Sequence, residues 1–186
     1  MELNSYIRKI CKKIFLISLL FPITLWSCDK IQNEPVEFEF QLLDEEGEQS
    51  TEFSYEENFT FSFSIINNTE ERLTISEMYN MDNFFEVFKI GDSGDTISFG
   101  KPYDAVFCEF VGGYLIKPMD TFLIEIPWIP DPDLGIPILC NLKDDNNPIP
   151  VGNYQTSVSP TFTFQKGGED FLKTPSSINI SFKITP

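Results

Sequence analysis

From residue 36 onward, apolar and polar residues alternate one for one along most of this chain, and helical spacing is hard to find. Val36, Phe38, Phe40 and Leu42 alternate with Glu37, Glu39 and Gln41. Phe59, Phe61, Phe63 and Ile65 do the same with Thr60, Ser62 and Ser64. Neighbouring side chains on a strand point to opposite faces, so each run predicts a strand with one buried face. A turn at Asn67-Asn68-Thr69-Glu70 leads to Leu73-Thr74-Ile75. Residues 84–90 and 96–99 flank Gly91-Asp92-Ser93-Gly94-Asp95, which predicts a hairpin. Residues 105–111 and 114–116 flank Gly112-Gly113, and those glycines supply the tolerance of positive φ that a tight hairpin needs. Phe122, Ile124, Ile126 and Trp128 form another alternating face; residues 154–164 and then Ile178, Ile180, Phe182 and Ile184 complete the set. About eight or nine strands with no long amphipathic helix predict an all-β, two-sheet antiparallel sandwich over residues 36–186. Residues 129–150 break the pattern. They hold Pro130, Pro132, Pro137, Pro148 and Pro150, with Pro127 just before, and are expected to form a long ordered loop between sheets.

The first 35 residues follow other rules. Arg8, Lys9, Lys12 and Lys13 precede a run from residue 14 to residue 25 whose only polar members are Ser18 and Thr24. A permanent membrane-spanning helix needs ~20 apolar residues, and Pro22 interrupts this shorter run. A basic region followed by such a run predicts an export signal over residues 1–27. Leu25-Trp26-Ser27-Cys28 resembles the lipobox of bacterial lipoproteins, with Trp26 departing from the small residue usual before Ser27. The resemblance implies cleavage before Cys28, a diacylglycerol on its thiol and a short tether over residues 28–35. It implies residence in a Gram-negative cell envelope as an outer-membrane lipoprotein, on a face the sequence leaves open. Several acyl chains hold such a protein stably, since each buried CH₂ contributes ~0.8 kcal/mol.

The order of features from Asn58 to Phe164 is similar to that of the intracellular-proteinase-inhibitor-like family of immunoglobulin-like sandwiches. The matching pieces are the strand 61–66 ending in Asn67-Asn68, the strand 84–90 leading to Gly91-Asp92, Lys117-Pro118-Met119-Asp120 before a strand ending in Trp128, and Pro150-Val151-Gly152-Asn153-Tyr154. The resemblance implies an immunoglobulin-like fold. Its name implies protease inhibition, but no inhibitory loop can be matched residue by residue. Tyr154 is expected to act as a corner tyrosine whose hydroxyl bonds nearby backbone.

Composition narrows the chemistry. With 41% hydrophobic residues and 19 Phe the chain is too apolar for disorder. Residues 28–186 carry 28 acidic and 9 basic residues, a balance that repels phosphate backbones and argues against nucleic-acid partners. The absence of His removes Ser-His-Asp and Cys-His nucleophiles and imidazole metal sites. No Gly-rich phosphate loop or zinc-type Cys cluster is present, so no catalytic residue, cofactor or metal is assigned. Asp131, Asp133, Asp144 and Asp145 lack the spacing of a calcium loop and read as solvated.

Cys108 and Cys140 remain after Cys11 and Cys28 are accounted for; they are either one disulfide or two buried thiols. Trp128, Tyr79, Tyr103 and Phe110 are candidates for a sugar-stacking platform, though the parity of Trp128 favours the core. Asn58, Asn67 and Asn179 match the N-glycosylation pattern, which bacterial export argues against. Asp95-Thr96-Ile97 is similar to an O-glycosylation site of some Gram-negative exported proteins, which makes Thr96 a candidate. The expected function is a non-catalytic, lipid-anchored module that binds a protein or carbohydrate through its loops. A protease inhibitor is the alternative, and a carboxylate-dependent hydrolase a more distant one.

Overall fold

The computed structural model describes residues 34–79, 84–105, 113–130, 140–143 and 146–186, with the backbone alone at residues 104–105 and 140–142. Residues Glu34–Pro186 form a compact unit distinct from Met1–Asn33. Fourteen strands are described. They are β1 (Val36–Leu43), β2 (Glu52–Ser54), β3 (Thr60–Asn67), β4 (Leu73–Tyr79), β5 (Glu86–Ile90), β6 (Thr96–Gly100) and β7 (Tyr103–Ala105). There follow β8 (Tyr114–Ile116), β9 (Thr121–Pro127), β10 (Cys140–Leu142), β11 (Gly152–Val158), β12 (Thr161–Lys166), β13 (Glu169–Lys173) and β14 (Ile178–Thr185).

One layer is the antiparallel sheet β1-β3-β9. The other is longer. It consists of a five-stranded sheet β2-β14-β11-β5-β6 and a four-stranded sheet β13-β12-β4-β8. Their registers show why the two belong together. Tyr154 of β11 lies between Phe182 of β14 and Lys89 of β5, and Phe162 of β12 lies between Lys173 of β13 and Met78 of β4. Thus β11–β12, β4–β5 and β13–β14 run in the same order through both halves of one layer. Pro160, which has no N–H to give a ladder, interrupts the first line, and Phe84-Phe85 interrupt the second. In chain order, β1, β3 and β9 take the places of immunoglobulin strands A, B and E. The three interrupted lines take those of C, F and G. The fold is an all-β, immunoglobulin-like antiparallel sandwich, with one parallel pairing of β2 on β14.

Alternation delivers the core. Phe61, Phe63 and Ile65 of β3 are fully buried, as are Ile75, Val87, Tyr154, Phe162 and Phe164 of the facing layer. Rings from the two layers meet directly: Phe38 stacks on Phe162 at 5.5 Å, and Phe61 on Phe85 at 5.0 Å. Such pairs each contribute ~0.5–1.5 kcal/mol beyond their buried area.

One expectation changes. The strand predicted from residue 84 begins at Glu86. Phe84 and Phe85 form a turn in which Phe85 takes φ 59°, so that both consecutive rings enter the core. Of the hairpin expected from residues 105–111 and 114–116, residues 106–112 lie outside the described residues; β8 pairs with β4, and β7, which ends at Ala105, pairs with β10. Gly113 has an ordinary φ, and its lack of a side chain serves close approach: a Cβ there would fall 2.1 Å from Thr74 Cγ2 and 3.0 Å from the Ile75 carbonyl.

Candidate functional site

The sandwich has two unlike poles. β1 starts with Val36 opposite Asn67 and ends with Leu43 opposite Thr60. The chain therefore enters where the β3–β4 turn lies, and that entry is fixed. Asn68 donates its backbone N–H to the Pro35 carbonyl at 3.1 Å and its side-chain amide to the Glu34 carbonyl at 3.2 Å. Asn67, buried beneath, holds the same turn: its Nδ2 donates to the carbonyls of Glu71 at 2.8 Å and Lys117 at 2.9 Å, and its Oδ1 accepts from Thr69. The turn with Met119 belongs to this entry pole as well, since Met119 donates its N–H to the Thr69 carbonyl.

At the opposite pole lie the β1–β2 and β2–β3 turns, the β5–β6 hairpin and both ends of the proline-rich segment. These ends are anchored to the sandwich. Asn58 clamps the departing end, accepting from the Ile129 N–H at 2.9 Å and donating to its carbonyl at 3.0 Å. The indole of Trp128 donates to the Asn147 carbonyl at 2.9 Å, and Asn146 donates to the Trp128 carbonyl at 2.8 Å. Below them six rings close a circuit through Phe99, Trp128, Phe59, Phe53, Phe182 and Tyr154, with adjacent centroids 5.0 to 6.2 Å apart. The Tyr154 hydroxyl donates to the Pro150 carbonyl at 2.7 Å, the corner bond expected of it, and burial pushes its phenol pKa up.

The loop pole is strongly acidic. Residues 44–57 hold Asp44, Glu45, Glu46, Glu48, Glu52, Glu56 and Glu57 with no Lys or Arg, and Asp92 and Asp95 sit on the neighbouring hairpin. Lys183 reaches Glu52 only at 3.9 Å and both side chains are mostly exposed, so this pair neutralises little. The entry pole carries Arg72, Lys117, Lys166 and Lys173 among its acids, with Lys166 paired to Glu71 at 3.2 Å.

The residues singled out from the sequence are scattered. Cys28, Cys108, Phe110, Asp131, Asp133, Asp144 and Asp145 lie outside the described residues. Cys140 pairs through its backbone with Ala105. Thr96 is exposed at the start of β6. Trp128 and Tyr103 are buried, and Tyr79 is exposed at the far end of β4, its hydroxyl bonded to Glu77. The three described candidates therefore build no common platform, and Phe110 lies outside the described residues. Asn58 and Asn67 spend their amides on backbone clamps, and Asn179 is exposed on β14. The clamping roles of Asn58, Asn67 and Asn146 had no signal in the sequence beyond residue type.

An open groove of ≈ 410 Å³ on the long layer is lined by Thr51, Ile90, Asn153, Tyr154, Ser181, Phe182 and Lys183, none of them a carboxylate. Among the described residues no group of three His, Cys, Asp or Glu is placed to hold a metal ion, and no helix is long and apolar enough to cross a membrane.

Strand order, core and poles together define an immunoglobulin-like sandwich with its loops opposite its chain entry. No protein-family model matches the sequence, and no curated protein matches it. Solved structures similar to it include PapD-like domain 7 of human CEP192, 12% identical over 81% of this chain and 84% of that one, with a TM-score of 0.37. Another is the putative ApaA protein of Bordetella pertussis, 9% identical over 79% and 93%, with a TM-score of 0.37. At this level the similarities carry neither partner nor activity to this chain, and the resemblance drawn from the sequence reduces to the fold it implied.

Proposed function

We propose that the chain is a non-catalytic, lipid-anchored module of a Gram-negative cell envelope, carried in the outer membrane on Cys28, that binds a protein or carbohydrate partner through its loop pole. The observation that carries this reading is the separation of the two poles. The chain leads into the sandwich at the Asn67–Asn68 turn, and the two anchored ends of the proline-rich segment, the acidic turns and the β5–β6 hairpin stand at the far end. An acidic far pole is repelled by anionic headgroups, which favours an upright stance. Thr96, exposed at the base of the hairpin, is open to the glycan its sequence context suggests. The anchor is tested by expressing the full chain and its Cys28→Ala variant in a Gram-negative host. The parent is expected in the membrane fraction and the variant in the soluble fraction; unchanged fractionation of the variant removes the reading.

A further inference from the structure

We propose that the outer face of β14-β11-β5 binds a neutral polysaccharide, with Phe88 and Ile90 set among uncharged amide and hydroxyl side chains as the site. Alternation fixes which residues stand there. Val87, Tyr154 and Thr156 are buried on the core side, so Phe88, Ile90, Asn153, Gln155 and Ser157 point outward. The buried Phe182 likewise turns Ser181 and Lys183 outward. Register lines these residues up in ranks across the sheet. Phe88 lies opposite Gln155, and Gln155 opposite Ser181. In the adjacent rank Asn153 lies opposite Lys183, and with Ile90 they line the open groove of ≈ 410 Å³. Strand spacing makes each rank about 10 Å across and sets the two about 7 Å apart, a patch that suits a short stretch of sugar chain.

The chemistry of this face differs from that of the rest of the surface. The chain carries a net charge of −16, yet charge stands only at opposite corners here. Lys183 is drawn toward Glu52 at 3.9 Å, and Glu86 accepts from the Ser98 hydroxyl. Between those corners Asn153, Gln155, Ser157 and Ser181 make no side-chain hydrogen bond among the described residues. Elsewhere on the sheets such side chains are spent on carboxylates. Ser62 donates to Glu125 at 3.3 Å, Thr163 to Glu77 at 3.2 Å and Gln165 to Asp170 at 3.3 Å. An unspent amide or hydroxyl both donates and accepts, as the hydroxyls of a sugar require of a partner. Phe88 and Ile90 are half-buried but stand apart from the hydrophobic core cluster, so they offer apolar surface to the C–H faces of a sugar ring.

The same features select against other partners. β11 lies between β14 and β5, so its backbone is paired on both sides and side chains alone meet a ligand. An anionic polymer would be repelled by the acidic chain and would find only Lys183, which already leans on Glu52. Protein interfaces centre on a desolvated apolar patch, whereas here two half-buried apolar side chains stand among amides. Neither the anchor nor the loop turns form part of this site, which is additional to the loop pole.

The test uses the fragment Glu34–Pro186, which contains the whole described core, in native gels cast with xylan, mannan, laminarin, pullulan or dextran, and with polygalacturonate as the anionic counterpart. At least one neutral polymer is expected to retard the parent, and polygalacturonate to leave it unretarded. Phe88→Ala and Gln155→Ala, both on the outer face, should keep the parent circular dichroism and each weaken the apparent affinity, Phe88→Ala about tenfold. Leu123→Ala, exposed on the outer face of the other layer, should bind as the parent does. No retardation by any neutral polymer, or stronger retardation by polygalacturonate, overturns the proposal. So does retardation that both Phe88→Ala and Gln155→Ala leave unchanged, which would move carbohydrate binding to the loop pole and spare that reading.

Discussion

Thr156 faces the core from the middle of β11, fully buried, and its Oγ1 has no hydrogen-bond partner. A buried hydroxyl left without a partner costs ~1–3 kcal/mol, and an apolar group of the same shape removes that cost. Thr156→Val is therefore expected to stabilise the domain by about 1 kcal/mol, read as a higher denaturant midpoint at unchanged slope. Tyr154, two residues away, shows the opposite case of a buried hydroxyl satisfied by the Pro150 carbonyl. Its phenol pKa is raised by burial above the ordinary value of about 10. A raised pKa makes the folded state hold its proton longer than the unfolded chain does. The stabilisation is complete below about pH 10 and is lost as pH rises through the folded value. Tyr154→Phe should cost ~1 kcal/mol near pH 8, and the gap from the parent should narrow above pH 10 in denaturant titrations. At this scale the sequence was only partly readable. Pro-x-Gly-x-Tyr announced a local bond four residues long. Asn58 and Asn67 clamp carbonyls up to 71 residues away, which no local pattern reveals.

Elements were legible where alternation ran long. β1, β9 and β14 each bury one parity of seven or eight residues, β3 does so apart from the buried Ser62, and their apolar positions spell that out. The extra strands come from pieces too short or too irregular to show a period. β2, β7 and β10 have three residues each, and Glu-Asp-Phe-Leu-Lys of β13 does not alternate, whereas β8, equally short, was flagged by the Gly-Gly before it. The break at Phe84-Phe85 was hidden because two consecutive Phe read as strand, whereas tertiary packing bends the backbone to bury both. β8 depends on a close approach at its start, and this gives a prediction specific to the element. Gly113→Ala would drive a methyl into Thr74 and the Ile75 carbonyl, so it should destabilise by ~1–3 kcal/mol. Gly47→Ala, with nothing within 4 Å but φ +82°, should cost ~1 kcal/mol from backbone strain alone. Thermal melts of the two variants separate crowding from strain.

At the scale of the molecule, charge and topology point the same way. The acids of residues 44–57 collect at the pole opposite the chain entry, while the eight cations of Glu34–Pro186 divide evenly between the two poles. Neither fact was visible before strand register fixed which turns share an end. Trp128 marks the loop pole and is the sole tryptophan of residues 28–186. Met119, exposed at the entry pole, gives a matching position at the other end. The decisive measurement is tryptophan fluorescence of the mature, acylated protein in vesicles whose headgroups carry a spin label. The account predicts a Trp128 emission unchanged by the label and a Met119→Trp variant in which the added emission is quenched. Strong quenching of Trp128, or a mature protein that does not join the vesicles at all, would contradict it.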